Sequence, residues 1–104
     1  MAVDRFGALE RELVGERANA LGRIAASMEK ALEDLRQFDR EGSDRTAGAD
    51  GEPVTRDELV AVAAERVWFY VVQRESIGWY RHEEALRSYR VPAELILRMG
   101  PRRG

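Results

Sequence analysis

The sequence predicts an all-α fold: a long N-terminal helix, a flexible linker, a central helix and two short C-terminal helices, in a bundle completed by dimerisation. Two observations predict this fold. Apolar residues recur at helical spacings of three and four over much of the chain, and the three prolines stand only at positions 53, 92 and 101. With 104 residues and 44% hydrophobic content, the chain forms a single domain around one core.

The long N-terminal helix is predicted over residues 4–38, a stretch without proline. Phe6, Leu9 and Leu13 begin an apolar seam, and the register then shifts near Gly15 by a stutter or a bend. A helix of about 35 residues is roughly 50 Å long, which exceeds the diameter of a domain of this size. We therefore predict that it binds a second copy through a heptad seam in its second half, formed by Leu21, Ile24, Met28, Leu35 and Phe38, with Ala31 between them.

Small residues form a stripe beside this seam, at Gly15, Ala18, Gly22 and Ala25. Small side chains let two helices approach closely, which would offset the roughly 1 kcal/mol of helix propensity that each glycine costs relative to alanine. The alternative is that a GC-rich coding bias scattered these residues.

Residues 39–54 are predicted to be a flexible linker. The segment Asp39–Pro53 has no large apolar residue and mixes glycine with charged and small polar side chains. A linker role is favoured over a binding loop because nothing in the segment offers a recognition chemistry.

The central helix is predicted over residues 55–77. Thr55 and Glu58 have the spacing of a capping box, Val54 and Leu59 can close a hydrophobic staple, and Gly78 is the expected stop. Its apolar side chains fill more than half of the circumference, so it needs neighbours on two or three sides.

Two short helices are predicted after Gly78, over residues 79–90 and 92–99, followed by a tail at 100–104. Pro92 takes the favoured first position of the second one, and Gly100 with Pro101 closes it. Because its residues are apolar nearly all round, we expect this last helix to be packed against the central helix.

Composition excludes several kinds of protein. The formal net charge of -2 gives no strong field for nucleic acid or anionic lipid, and the absence of cysteine excludes disulfides and thiolate metal sites. The start lacks the apolar run of a signal peptide, and no stretch has the roughly 18 apolar residues of a membrane span. We expect a cytoplasmic protein that does not bind membranes.

Catalytic chemistry has few candidates. His82 is the only histidine, and its neighbours Glu83 and Glu84 point in other directions on a helix, so a metal site is not favoured. No nucleophile motif or phosphate-binding glycine motif occurs. The sequence predicts no enzyme, no catalytic residue, no metal and no cofactor.

Six of the eight aromatic residues lie between positions 68 and 89. If the aromatic residues line a ligand pocket, its candidate residues are Trp68, Tyr70, Trp79, Tyr80 and His82. The alternative is that the rings have a structural role, in the core and at the rim of an interface. We favour this alternative because aromatic stripes on helices usually pack in a core.

Residues 67–100 resemble a short uncharacterised bacterial helical family, a domain of unknown function. The similarity lies in Gln73-Arg74-Glu75, His82, Tyr89, Val91-Pro92 and Arg98-Met99-Gly100. The resemblance implies a helical bacterial protein and supplies no activity, ligand or partner.

The predicted function is that of a dimeric structural or adaptor protein that contacts an unknown protein partner. We expect Leu35→Asp to weaken assembly and Val71→Asp to unfold the chain. The alternative is a nucleic-acid accessory protein that uses the C-terminal arginines, which is disfavoured because the last helix has almost no polar side chain to read bases. Third is small-molecule binding in the aromatic pocket.

Overall fold

The computed structural model describes residues 2–42 and 54–100, with side chains from residue 15 onward. It contains α1 (Ala2–Glu41), α2 (Arg56–Ser76), α3 (Glu83–Ser88) and α4 (Ala93–Leu97), and no strand occurs in these two stretches. The predicted all-α fold, with a long first helix and short last helices, is confirmed. Residues 43–53 of the predicted linker and residues 101–104 of the predicted tail lie outside the described residues, and dimerisation stays a prediction.

The first helix is continuous from Ala2 and ends later than predicted, because residues expected in the linker are its last turn. Arg40 pairs with Glu33 at 2.9 Å, and Asp39 pairs with Arg56 at 2.8 Å. Gly42 then adopts a φ of 62° and donates its N–H to the Phe38 carbonyl at 2.7 Å. Ion pairs therefore stabilise this last turn, which has no bulky apolar residue, and Gly42 ends the helix.

The core lies mainly between α1 and α2, which run antiparallel. Arg56 at the start of α2 contacts Asp39 at the end of α1, whereas Gln73 near the end of α2 shares a surface with Glu16 and Arg23. The buried side chains are Ala25, Met28, Ala31, Leu32 and Leu35 from α1, Val60, Ala63, Ala64, Val67 and Tyr70 from α2, Leu86 from α3 and Leu95 from α4.

The start of α2 has the capping box that its sequence predicts. The Glu58 N–H donates to the Thr55 hydroxyl at 3.2 Å, and the Thr55 N–H donates to the Glu58 carboxylate at 3.3 Å. A cap of this kind contributes about 1 kcal/mol to helix stability. It fixes where α2 begins and thereby which of its residues meet α1.

A tight turn at Gly78 follows α2, and the next helix begins several residues after it. Gly78 has a φ of 89°, and the Trp79 N–H donates to the Arg74 carbonyl at 2.9 Å, the bonding of a glycine-terminated helix end. Residues 79–82 are consequently held against the end of α2. For this reason α3 begins at Glu83, four residues after the predicted start.

The corner between α3 and α4 has the same bonding with arginine in place of glycine. Arg90 has a φ of 56°, and the Val91 N–H donates to the Leu86 carbonyl at 3.0 Å. The Arg36 guanidinium on α1 donates to the carbonyl oxygens of Tyr89 at 2.8 Å and Arg90 at 3.4 Å. A side chain of α1 thus fastens this corner to the body of the molecule.

The last helix packs on α2 through fewer residues than its composition suggests. Leu95 is fully buried, but Ile96 is exposed and Leu97 is 86% exposed. A helix of five residues turns too little to bury more than one side against a single neighbour. The expectation that this helix packs against the central helix is confirmed, and the packing is made by Leu95 and, in part, by Met99.

Candidate functional site

Arg74, in the last turn of α2, gathers the polar and aromatic groups at that end of the molecule. Its guanidinium carbon lies 5.7 Å from the ring centre of Tyr70 and 5.2 Å from that of Trp79. Its Nε–H donates to Nδ1 of His82 at 3.2 Å, and Nη2 donates to the Arg81 carbonyl at 2.8 Å. We call Tyr70, Arg74, Trp79 and His82 the Arg74 cluster.

Local sequence explains how these side chains meet. Tyr70 and Arg74 are four residues apart and so are neighbours on the same side of α2. The turn at Gly78 brings the following residues back alongside the helix end, where the cationic guanidinium can lie over an aromatic ring. Arg74 thereby joins α2 to the segment that leads into α3.

The hydrogen bond from Arg74 engages one ring nitrogen of His82. The Arg74 Nε–H donates to Nδ1, so this nitrogen is the acceptor of the contact. Nε2 is buried, has no hydrogen-bond partner and lies 3.5 Å from the Glu75 carboxylate, which is long for a hydrogen bond. The imidazole is thus a positioned structural group with one nitrogen already engaged.

Tyr70 also packs against Tyr89 of the α3–α4 corner. Their rings meet edge to face, with centres 5.4 Å apart and planes at 78°. Burial raises the pKa of the Tyr89 hydroxyl and the neighbouring Tyr70 raises it further, so this phenol stays protonated at neutral pH. Tyr70 therefore contacts both Arg74 of the cluster and Tyr89 of the α3–α4 corner.

A concave surface of about 600 Å³ lies beside this pair of rings. It is lined by Tyr70, Arg74, Arg81, Glu83, Glu84, Ala85, Ser88 and Tyr89. The charged groups around it have both signs, so the surface does not select a ligand of one charge. Across the described parts of the chain, no group of three or more His, Asp or Glu residues could hold a metal ion.

The five residues of the predicted aromatic pocket do not come together. Tyr70, Trp79 and His82 meet around Arg74, whereas Trp68 lies on a different side of α2 and contacts Phe69, with ring centres 5.2 Å apart. Tyr80 is 70% exposed. The physical reason is helix geometry, because positions two apart on a helix point about 200° apart.

The predicted dimer seam of α1 is largely covered within the chain. Met28 and Leu35 are buried in the core, and Leu21, Ile24 and Phe38 are partly buried. Periodicity predicts that this side of α1 is covered but cannot say whether α2 or a second copy covers it. With α2 in place, Met28 and Leu35 are not accessible to another molecule.

Tyr89 belongs beside Tyr70, although the predicted pocket left it out. The contact joins residues 19 positions apart and depends on how the turn at Gly78 and α3 carry the chain back along α2, which local spacing does not show. Arg74 was detectable as the centre of the cluster from its spacing to Tyr70 and its proximity to the turn at Gly78. Spacing along the helix was thus the useful signal, more than aromatic content.

Comparison with known proteins places the whole chain in a family model. A model described as a family of unknown function (DUF6665) matches residues 4–102. The resemblance predicted from residues 67–100 is confirmed, and the match extends it towards the N-terminus as far as residue 4 of α1. Curated proteins and solved structures give no match.

Proposed function

The chain belongs to this family of unknown function, and from the geometry of α1 we propose that it is a structural protein that pairs with a second copy of itself. One observation carries the proposal. The helix is continuous from Ala2, yet the first of its described side chains to pack on the core is Leu21. Much of α1 therefore extends past the end of α2.

The exposure of the described residues marks where the extension begins. Every side chain from Gly15 to Asn19 is exposed, and a Cβ added at Gly15 or Gly22 would meet no atom within 4 Å. The molecule is correspondingly elongated, with extents of 62 × 30 × 25 Å and a radius of gyration of 17.2 Å. A compact domain of this length has a radius of gyration near about 13 Å.

Helix energetics favour a second copy along this extension. An isolated helix shorter than about 12–15 residues is marginal in water, and most helical stability in proteins comes from packing an apolar side. The sequence of the extension has apolar residues at helical spacing, Phe6, Leu9 and Leu13. A second copy supplies the same pattern at equal concentration and, in antiparallel pairing, can cover both extensions at once.

Light scattering of the full chain with a matched pair of variants tests the proposal. We expect a particle of twice the 11.8 kDa chain mass at micromolar concentration. Leu13→Glu should reduce it to one chain mass, because position 13 shares a side of the helix with positions 6 and 9. Ala26→Glu, at an exposed position on the outer side of α1 beside the core, should leave the pair intact. A wild-type particle of one chain mass would refute self-pairing, and equal effects of the two substitutions would refute its location.

An adaptor role with a second protein as partner stays a prediction. The nucleic-acid alternative has less support, because α4 exposes Ile96 and Leu97 and three acidic residues accompany the arginines after Trp79. None of the helices in the described stretches is both long and apolar enough to cross a bilayer. A cytoplasmic location stays a prediction.

A further inference from the structure

The second surface with unexplained apolar residues is on α2, on the side turned away from the fully buried Val60 and Val67. Phe69 and Val72 are each 41% exposed there. At 100° per residue they share this side with other partly exposed apolar residues. We call the group the outer stripe, and its members are Ala61, Trp68, Phe69 and Val72, with Val62, which also packs against the core, at its edge.

The outer stripe has the spacing that a second helix needs. Positions 62, 65, 69 and 72 alternate between steps of three and four, and so do positions 61, 65, 68 and 72. These two rows run side by side along about 16 Å of helix. Such a pattern accepts the side chains of a neighbouring helix in knobs-into-holes packing.

Position 65, which belongs to both rows, is the carboxylate residue Glu65. Glu65 is partly buried, and it has no ion pair or hydrogen bond among the described residues. Asp57, Glu58 and Glu75 flank the stripe, whereas Arg56 binds Asp39 and Glu94, and Arg74 binds His82, both away from it. The third arginine of α2, Arg66, lies at one margin, so the stripe is apolar with acidic residues along it.

We propose that the outer stripe binds a basic amphipathic α-helix of another protein. The apolar side of that helix packs on Phe69 and Val72, and a lysine or arginine of the helix pairs with Glu65. A helix laid over this stripe removes Glu65 from water, and a buried carboxylate without a cation is strongly unfavourable. The acidic margin therefore selects a partner with positive charge beside its apolar residues.

The same charges disfavour two other occupants. Antiparallel pairing of two α2 helices through this stripe would place the two Glu65 side chains near one another with no cation between them. An anionic membrane would be repelled by the carboxylates along the stripe. The proposal is independent of self-pairing, which involves the first part of α1 and leaves α2 free.

Binding of two synthetic peptides to the full chain tests the partner's chemistry. Both peptides have three heptads with leucine at the a and d positions, and they differ only in having lysine or glutamate at the flanking e and g positions. Measured by fluorescence anisotropy, the lysine peptide should bind at least about tenfold more tightly than the glutamate peptide, as expected for one well-formed charge-assisted contact. Equal affinities, or no binding of either peptide, would overturn the proposal.

Substitutions then assign the site. Glu65→Arg should weaken the lysine peptide about tenfold and strengthen the glutamate peptide. Glu29→Arg on α1, an equally drastic change at an exposed position, should alter neither affinity. Phe69→Lys should abolish binding while leaving the far-ultraviolet circular dichroism unchanged, because Phe69 is already 41% exposed.

Two further measurements separate the other occupants. If Phe69→Lys halves the particle mass in light scattering while Leu13→Glu does not, a second copy occupies the stripe and the proposal is wrong. Sedimentation of the chain with vesicles of anionic phospholipid, lost in Phe69→Lys, would likewise overturn it. Unchanged mass and no sedimentation are the expected results.

Discussion

Leu35 distinguishes packing within the chain from packing between chains, and Leu35→Ala is therefore the most informative stability variant. Leu35 is 3% exposed, and Leu32 and Met28, one and two turns earlier on α1, belong to the same core. Replacing a buried leucine with alanine removes its transfer free energy and leaves a cavity, together about 2–5 kcal/mol. For a leucine buried to this extent we expect a loss from the middle of this range, about 3 kcal/mol.

Urea denaturation followed by circular dichroism measures this loss. A domain of this size has a free energy of unfolding of roughly 5–15 kcal/mol, so the variant stays folded. With an m-value of about 1.5 kcal/mol/M, the midpoint falls by about 2 M. The loss relative to wild type should be the same at protein concentrations far apart, because the contact lies within one chain.

A loss that shrinks as protein concentration rises would refute this reasoning and restore the seam as an interface between copies. The same logic reverses the sequence expectation for the two aspartate variants. Leu35→Asp buries an unpaired charge in the core and should unfold the chain, whereas Val71 is only partly buried and its substitution should cost less.

Two further predictions concern the ends of the helices. Leu95→Ala should lower the free energy of unfolding by about 2–4 kcal/mol and Leu97→Ala by less than about 0.5 kcal/mol, measured in the same urea experiment, because only Leu95 is buried; similar losses would show that α4 does not pack as described. Hydrogen bonds from Arg56 hold the pKa values of Asp39 and Glu94 below their ordinary range. Their contribution to stability is complete above the unfolded-state values near about 4 and is lost as the pH falls through the lower folded values. Arg56→Gln should therefore flatten the decline of the melting temperature below about pH 4, and an unchanged decline would contradict this assignment.

Local chemistry could be predicted from the sequence, and long-range partners could not. The start of α2 follows from Thr55 and Glu58, and its end follows from Gly78, because caps depend on residues within one turn. Periodicity predicted that Met28 and Leu35 are covered, but the identity of the covering surface depends on how α2 folds back.

Two features lay beyond such local signals. The late start of α3 depends on Arg74 holding residues after the turn, so helix propensity alone placed it too early. The Arg74 cluster could be predicted only in part: helical spacing places Tyr70 beside Arg74, whereas Trp79 and His82 contact Arg74 through the fold of the chain after Gly78.

That bend has a consequence for how the chain acquires its shape. Arg90 has a left-handed backbone without being glycine, and the groups that anchor its carbonyl belong to Arg36, 54 positions earlier. The angle between α3 and α4 thus depends on a side chain that is remote in the sequence. The two helices are also short, with six and five residues. We therefore expect the segment that carries α3 and α4 not to keep this corner when it is separated from α1.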